Sequence, residues 1–128
     1  MRQPAVRQVV DRLRARHGSA ALLICPPVAA EVGFSARSGD DHEVVRAALT
    51  AFPECGAEPS TELVLDVQNA LFRGGFFRAV GALDTVIAAY ALANDAAVLH
   101  YDRDFEYVSR VRPDFGQRWV APAGSLDR

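Results

Sequence analysis

Lysine is missing from all 128 residues, so the fourteen basic side chains are arginines without exception. Cysteine is scarce as well, limited to Cys25 and Cys55. Two isolated thiols make neither a disulfide framework nor a zinc site, for which closely spaced pairs are expected. Each sits in a short apolar stretch and reads as a small core hydrophobe. No apolar run approaches the roughly 18 to 20 residues of a membrane span. The first residues are Arg-rich and amphipathic, with no apolar core or small-residue cleavage site, which is the wrong order for a signal peptide. A cytoplasmic location with no membrane partner is therefore expected. An excess of one sign of charge is lacking too. A net charge of −2 gives no electrostatic footprint of nucleic-acid binding over the whole chain.

What is present is unevenly placed. Residues 1–17 carry Arg2, Arg7, Arg12, Arg14 and Arg16 against Asp11 alone, whereas residues 40–66 carry seven acids against Arg46 alone. Arginine forks suit phosphate recognition, yet genome composition produces an all-arginine set just as readily. Half the residues are apolar and 23% are charged, which is ordinary globular composition. The length leaves room for one hydrophobic core, so residues 1–128 are expected to form one domain.

Hydrophobic spacing gives the elements. Pro4 opens an amphipathic helix with Val6, Val9, Val10 and Leu13 on one face and Gly18 as its cap. The run Ala21-Leu22-Leu23-Ile24-Cys25 is continuous and apolar, the mark of a strand buried on both faces. Pro26-Pro27 stops it and opens a helix to about Arg37, with Val28 and Val32 on a shared face. Gly39-Asp40-Asp41 starts another, with Val44, Val45, Ala48, Leu49 and Phe52 at helical spacing. A weak strand is expected between Pro53 and Pro59. Ser60 then caps a helix with Leu63, Val64, Val67, Ala70 and Leu71 inward, ended by Gly74-Gly75. Leu83 to Ala93 is apolar nearly all round and predicts a buried helix. Ala96 to His100 is a second buried strand, followed by a short helix around Glu106 to Val111 and an edge strand at Arg118-Trp119-Val120. Helices alternating with short apolar strands predict a three-layer α/β/α domain with a parallel sheet.

Open parallel sheets bind ligands at the carboxyl ends of their strands. Asp102 follows the strand ending at His100. Glu31 lies one turn into the helix after the strand ending at Cys25. Asp84 begins the buried helix, where an inward carboxylate is unusual. Carboxylates that converge in a semi-buried cleft repel one another, and a hard divalent cation is the usual way to hold them together. Each acid has a plain reading beside this one. Asp84 followed by Thr85 has the form of an N-cap, and Asp102 that of a cap for the short helix after it. Asp104 complements that helix dipole, and Glu31 solvates its helix. His100 reads either as a satisfied packing residue or as a group touching substrate or the hydrated ion. Arg73, Arg78 and Arg103 flank the region and are candidate phosphate contacts or solvated surface residues.

These residues resemble the PIN-domain ribonucleases, and among them the VapC toxins of type II toxin–antitoxin pairs. The strongest match is Arg78-Ala79-Val80-Gly81-Ala82-Leu83-Asp84-Thr85-Val86-Ile87-Ala88-Ala89, followed by Val98-Leu99-His100-Tyr101-Asp102-Arg103-Asp104-Phe105. Pro27-Val28-Ala29-Ala30-Glu31 looks like the family's early glutamate-bearing helix, and the tail from Trp119 to Leu126 is similar in type. The resemblance implies a PIN-like fold and a metal-dependent endoribonuclease. Glu31, Asp84 and Asp102 would hold Mg²⁺ or Mn²⁺, with Asp104 as a catalytic helper. His100, Arg78 and Arg103 would contact RNA. A cognate antitoxin protein and a homodimer are implied as partners. His100 departs from the family, which commonly has a hydroxyl residue there.

The larger departure is at the start. The family begins with a central apolar strand ending in an aspartate, whereas Met1-Arg2-Gln3-Pro4 already stands at the first helix. The chain is thus expected to lack that strand and that acid, and to be marginally stable and inactive by itself. The alternative to a toxin ribonuclease is accordingly a catalytically silent PIN remnant acting as a binding or dimerisation module.

Overall fold

A computed structural model describes residues 22–119. The expected first helix, the start of the first strand and the whole tail after Trp119 lie outside the described residues. Five helices and two strands are described: α1 (Pro26–Phe34), α2 (Gly39–Leu49), α3 (Thr61–Arg73), α4 (Ala82–Ala93), β1 (Ala97–His100), α5 (Asp104–Val111) and β2 (Gly116–Trp119). None of these helices is long and apolar enough to cross a membrane. Residues 22–55 fall in one compact unit and residues 56–119 in another.

In the first unit, the apolar run around Ile24 forms a single parallel bridge to Glu54. The Ile24 N–H donates to the Pro53 carbonyl at 2.9 Å and the Cys55 N–H to the Ile24 carbonyl at 2.8 Å. The weak strand expected after Pro53 is present as this one contact. Cys25 is the N-cap of α1, and prolines fill its first turn, where a missing N–H costs nothing. α1 ends at Phe34, earlier than the expected Arg37. The Ser35 hydroxyl donates back to the Val32 carbonyl at 2.6 Å, and Ser38 becomes the next N-cap, accepting from the Asp41 N–H at 3.0 Å. α2 packs against α1, but its expected apolar face is not buried. Val44 is 65% exposed, and none of the helix is buried. Helical spacing identified the face; among the described residues no further layer covers it.

The second unit carries a well-packed core. Ser60 caps α3 as expected, its hydroxyl oxygen accepting from the Leu63 N–H at 3.0 Å. Val67 and Leu71, one turn apart on the same face, are 0% and 2% exposed. The helix ends in a Schellman arrangement: the Phe76 N–H donates to the Leu71 carbonyl and the Gly75 N–H to that of Phe72. Gly75 takes φ +84, and a β-carbon on Gly74 would lie 2.5 Å from the Val111 side chain. Both glycines are therefore required where α3 closes against α5.

α4 buries Thr85, Ile87, Ala88, Ala89 and Ala91, nearly all round, as its composition predicts. Small alanines let it pack against α3, α5 and β1 together. β1 pairs in parallel with β2 in the register Ala97↔Gly116, Val98↔Gln117, Leu99↔Arg118 and His100↔Trp119. This ladder brings the carboxyl end of β1 to the first turn of α5, where Phe105 and Val108 are buried.

Candidate metal centre

Asp84, Asp102 and Asp104 converge within the second unit. One carboxylate oxygen from each lies within 4.8 Å of the other two. Three different elements supply them. Asp84 is in the first turn of α4, Asp102 follows β1 by two residues, and Asp104 is the first residue of α5.

The N-cap reading of Asp84 is not what is found. Gly81 is the N-cap of α4 and makes no side-chain cap; the Thr85 hydroxyl closes the first turn by donating to the Gly81 carbonyl at 2.9 Å. The Asp84 carboxyl hydrogen-bonds with that of Asp104. Asp102 does serve the next helix. Its Oδ1 accepts from the Asp104 N–H at 2.9 Å, while its second oxygen is not used in that turn. Asp104 is half-buried at the helix start. Burial, and then the neighbouring Asp102 charge, push its carboxyl above the usual aspartate value; a hydrogen bond with Asp84 pulls the other way. Two half-buried carboxyl groups and an exposed one thus form a donor set that a hard divalent cation, taking a few carboxylates and completing its shell with water, fits well.

The observed group includes Asp104, expected only as a helper. Glu31 is exposed on α1 in the first unit, and the aspartate group is built wholly within the second. Arg103 lies exposed in the turn between Asp102 and Asp104. Arg78 is exposed as well, its guanidinium 5.3 Å from the centre of the Phe77 ring.

His100 is only 6% exposed. Its Nδ1 accepts from the Asp102 N–H at 3.0 Å, and its Nε2 bonds the Gln117 amide oxygen at 2.5 Å. The ring packs beside Phe105 and Trp119, with centroids 5.0 and 4.8 Å away. Burial holds the imidazole below its ordinary value, partly offset by the Gln117 hydrogen bond and the charges of Asp102 and Glu106. Both ring nitrogens are committed inside the protein, so the RNA contact expected of His100 has no free hydrogen-bonding group in this geometry. Gln117 and Glu106 were not singled out from the sequence. Glu106 accepts from the Trp119 indole N–H at 2.9 Å. The edge strand expected at Arg118-Trp119-Val120 leaves Gln117 out; β2 begins at Gly116, which puts Gln117 and Trp119 on one face.

A parallel strand that delivers one aspartate to its carboxyl end, beside two others from helix starts, defines a carboxylate-lined α/β domain. The chain belongs to the PIN domain family, whose model matches residues 2–111. Its fold class is accordingly the three-layer α/β/α arrangement with a parallel sheet. It is 35% identical over 121 residues to ribonuclease VapC21 of Mycobacterium tuberculosis, covering 93% of this chain and 86% of that protein. Ribonuclease VapC51 of the same organism is 34% identical over 128 residues, covering 98% and 88%. Ribonuclease VapC6 is 32% identical over 113 residues, covering 87% and 89%.

Proposed function

We propose that this chain is a Mg²⁺- or Mn²⁺-dependent endoribonuclease, the toxin of a toxin–antitoxin pair. The convergence of Asp84, Asp102 and Asp104 carries the reading, and the similarity to ribonucleases VapC21 and VapC51 supports it. Asp84 and Asp102 hold the cation, and Asp104 completes the group. Glu31 is assigned as a further ligand on family resemblance alone. When bound, a divalent cation steadies charge on a phosphodiester and acidifies water.

The protein's own groups do the rest. The aspartates fix the place of reaction at the end of β1, with Asp104 beside Asp84 and Asp102 at the start of α5. Arg78 and Arg103 place the RNA backbone through their guanidinium forks. A cognate antitoxin and a homodimeric state complete the proposal.

The test is cleavage of a labelled single-stranded RNA by the purified protein with Mn²⁺, with Mg²⁺ and with chelator. Metal-dependent cleavage that falls at least about a hundredfold in Asp84→Asn and Asp102→Asn supports the reading. Tight Mn²⁺ binding without cleavage of any RNA supports the silent module instead.

A further inference from the structure

We infer that His100 and Gln117 are positioning residues that hold Asp102 in the orientation a divalent cation requires. The inference rests on reading the aspartate group as a cation site. It starts from the hydrogen bonds around one ring. Nδ1 of His100 accepts from the Asp102 N–H, so the proton of the neutral imidazole resides on Nε2 and is donated to the Gln117 oxygen. Gln117 thus selects the tautomer that leaves Nδ1 free to accept. Were Gln117 replaced by an apolar residue, Nε2–H would lose its acceptor, and only the Asp102 N–H facing Nδ1 would still favour that tautomer.

The ladder makes this contact possible. Gln117 pairs with Val98 and Trp119 with His100, so Gln117, Trp119 and His100 lie on one face of the two strands. Phe105 and Trp119 flank the imidazole and restrict its rotation. The restraint then passes along the backbone. His100 holds the N–H of Asp102, and the Asp102 side chain holds the N–H of Asp104. Two members of the acidic group are thereby tied to β2, a strand that contributes no acid to it. Groups that orient ligands in this way change metal affinity by about 10- to 100-fold when removed.

The experiment compares the wild type with His100→Leu, His100→Asn and Gln117→Leu. It reads Mn²⁺ affinity by calorimetry, ring and amide nitrogens by NMR in metal-free protein, and folding by thermal denaturation. Wild-type spectra should show Nε2 protonated and Nδ1 unprotonated. His100→Leu should bind Mn²⁺ about tenfold more weakly or worse. His100→Asn, whose amide oxygen can accept the Asp102 N–H, should recover most of that loss. Gln117→Leu should lose affinity and populate the other tautomer. If His100→Leu does not fold, the contrast between His100→Asn and Gln117→Leu decides. Unaltered Mn²⁺ affinity in both leucine variants, or a wild-type ring protonated on Nδ1, overturns the positioning role. A wild type that binds no Mn²⁺ at all overturns the cation reading itself, and with it the purpose of the restraint.

Discussion

Replacing Asp104 with asparagine should make the metal-free protein more stable and the metal-loaded protein no better. Its carboxyl has an oxygen within 4.8 Å of one on Asp84 and one on Asp102. Two unit charges at that separation repel by about 3.5 kcal/mol at an effective dielectric of 20 and about 0.9 kcal/mol in bulk water. Asp102 is exposed and the other two are half-buried, so the solvent-screened end applies, at about 1 kcal/mol for the Asp104–Asp102 pair; burial of the Asp104 charge adds to this, and its hydrogen bond with Asp84 opposes it. Loss of a negative charge at the start of α5 subtracts roughly 0.3 to 1 kcal/mol. The net gain is up to about 1 kcal/mol, or at most roughly 3 to 6 °C in denaturation midpoint for a chain of this length.

The pH dependence has a definite sign. A carboxyl raised above its ordinary value binds its proton more tightly in the folded state than in the unfolded chain. Stability therefore falls as pH rises above the ordinary aspartate range, and the advantage of Asp104→Asn should vanish near pH 4. With Mn²⁺ at about a hundred times its dissociation constant, the wild type gains about 2.7 kcal/mol. A tenfold weaker variant gains about 1.4 kcal/mol less, so the two midpoints should converge. Scanning calorimetry at pH 4 and 7.5, with chelator and with Mn²⁺, measures all four quantities. A variant less stable at pH 7.5 without metal, and equally stabilised by Mn²⁺, would refute the argument that these carboxylates repel one another.

Further outcomes follow from other parts of the structure. Asp84→Asn should weaken Mn²⁺ binding by at least about tenfold in calorimetry while shifting the apo midpoint by only a few degrees, because the N-cap of α4 is Gly81; an unfolded variant would return Asp84 to a structural role. Leu71→Ala removes a side chain only 2% exposed and should cost about 2 to 5 kcal/mol in urea denaturation. Leu65→Ala, at a residue 54% exposed, should stay within about 0.5 kcal/mol. Ser60→Ala should cost about 1 kcal/mol through loss of the α3 cap. Cys25 is 7% exposed and burial pushes its thiol up, so iodoacetamide at neutral pH should label it more slowly than Cys55; equal rates would contradict the burial.

Much of this is legible in the sequence, because it depends on near neighbours in the chain. The Ser60 cap, the Gly74-Gly75 stop and the all-round burial of α4 each follow from residues within a turn or two of one another. The motif from Leu83 to Phe105 named the three aspartates for the same reason, since each stands at the end of a strand or the start of a helix. What local pattern left open was which of two chemically sensible roles a residue takes. Asp84 and Asp102 both read as caps or as ligands; Arg103 takes the N-cap position of α5 while Asp102 accepts from the Asp104 N–H and still belongs to the group, and Gly81 takes the cap position ahead of Asp84. Asp104 enters the group directly because the turn held by Asp102 brings the start of α5 beside α4. The pairing of His100 with Gln117 spans seventeen residues and depends on the register of two strands. Sequence periodicity names the face of a strand, but only the ladder decides which side chains meet across it. By itself the sequence determined the elements, the family motif and the acids. The tertiary structure decided that three of those acids share one place, and that a buried imidazole faces the backbone of one of them, because both depend on distances between segments that local spacing does not encode.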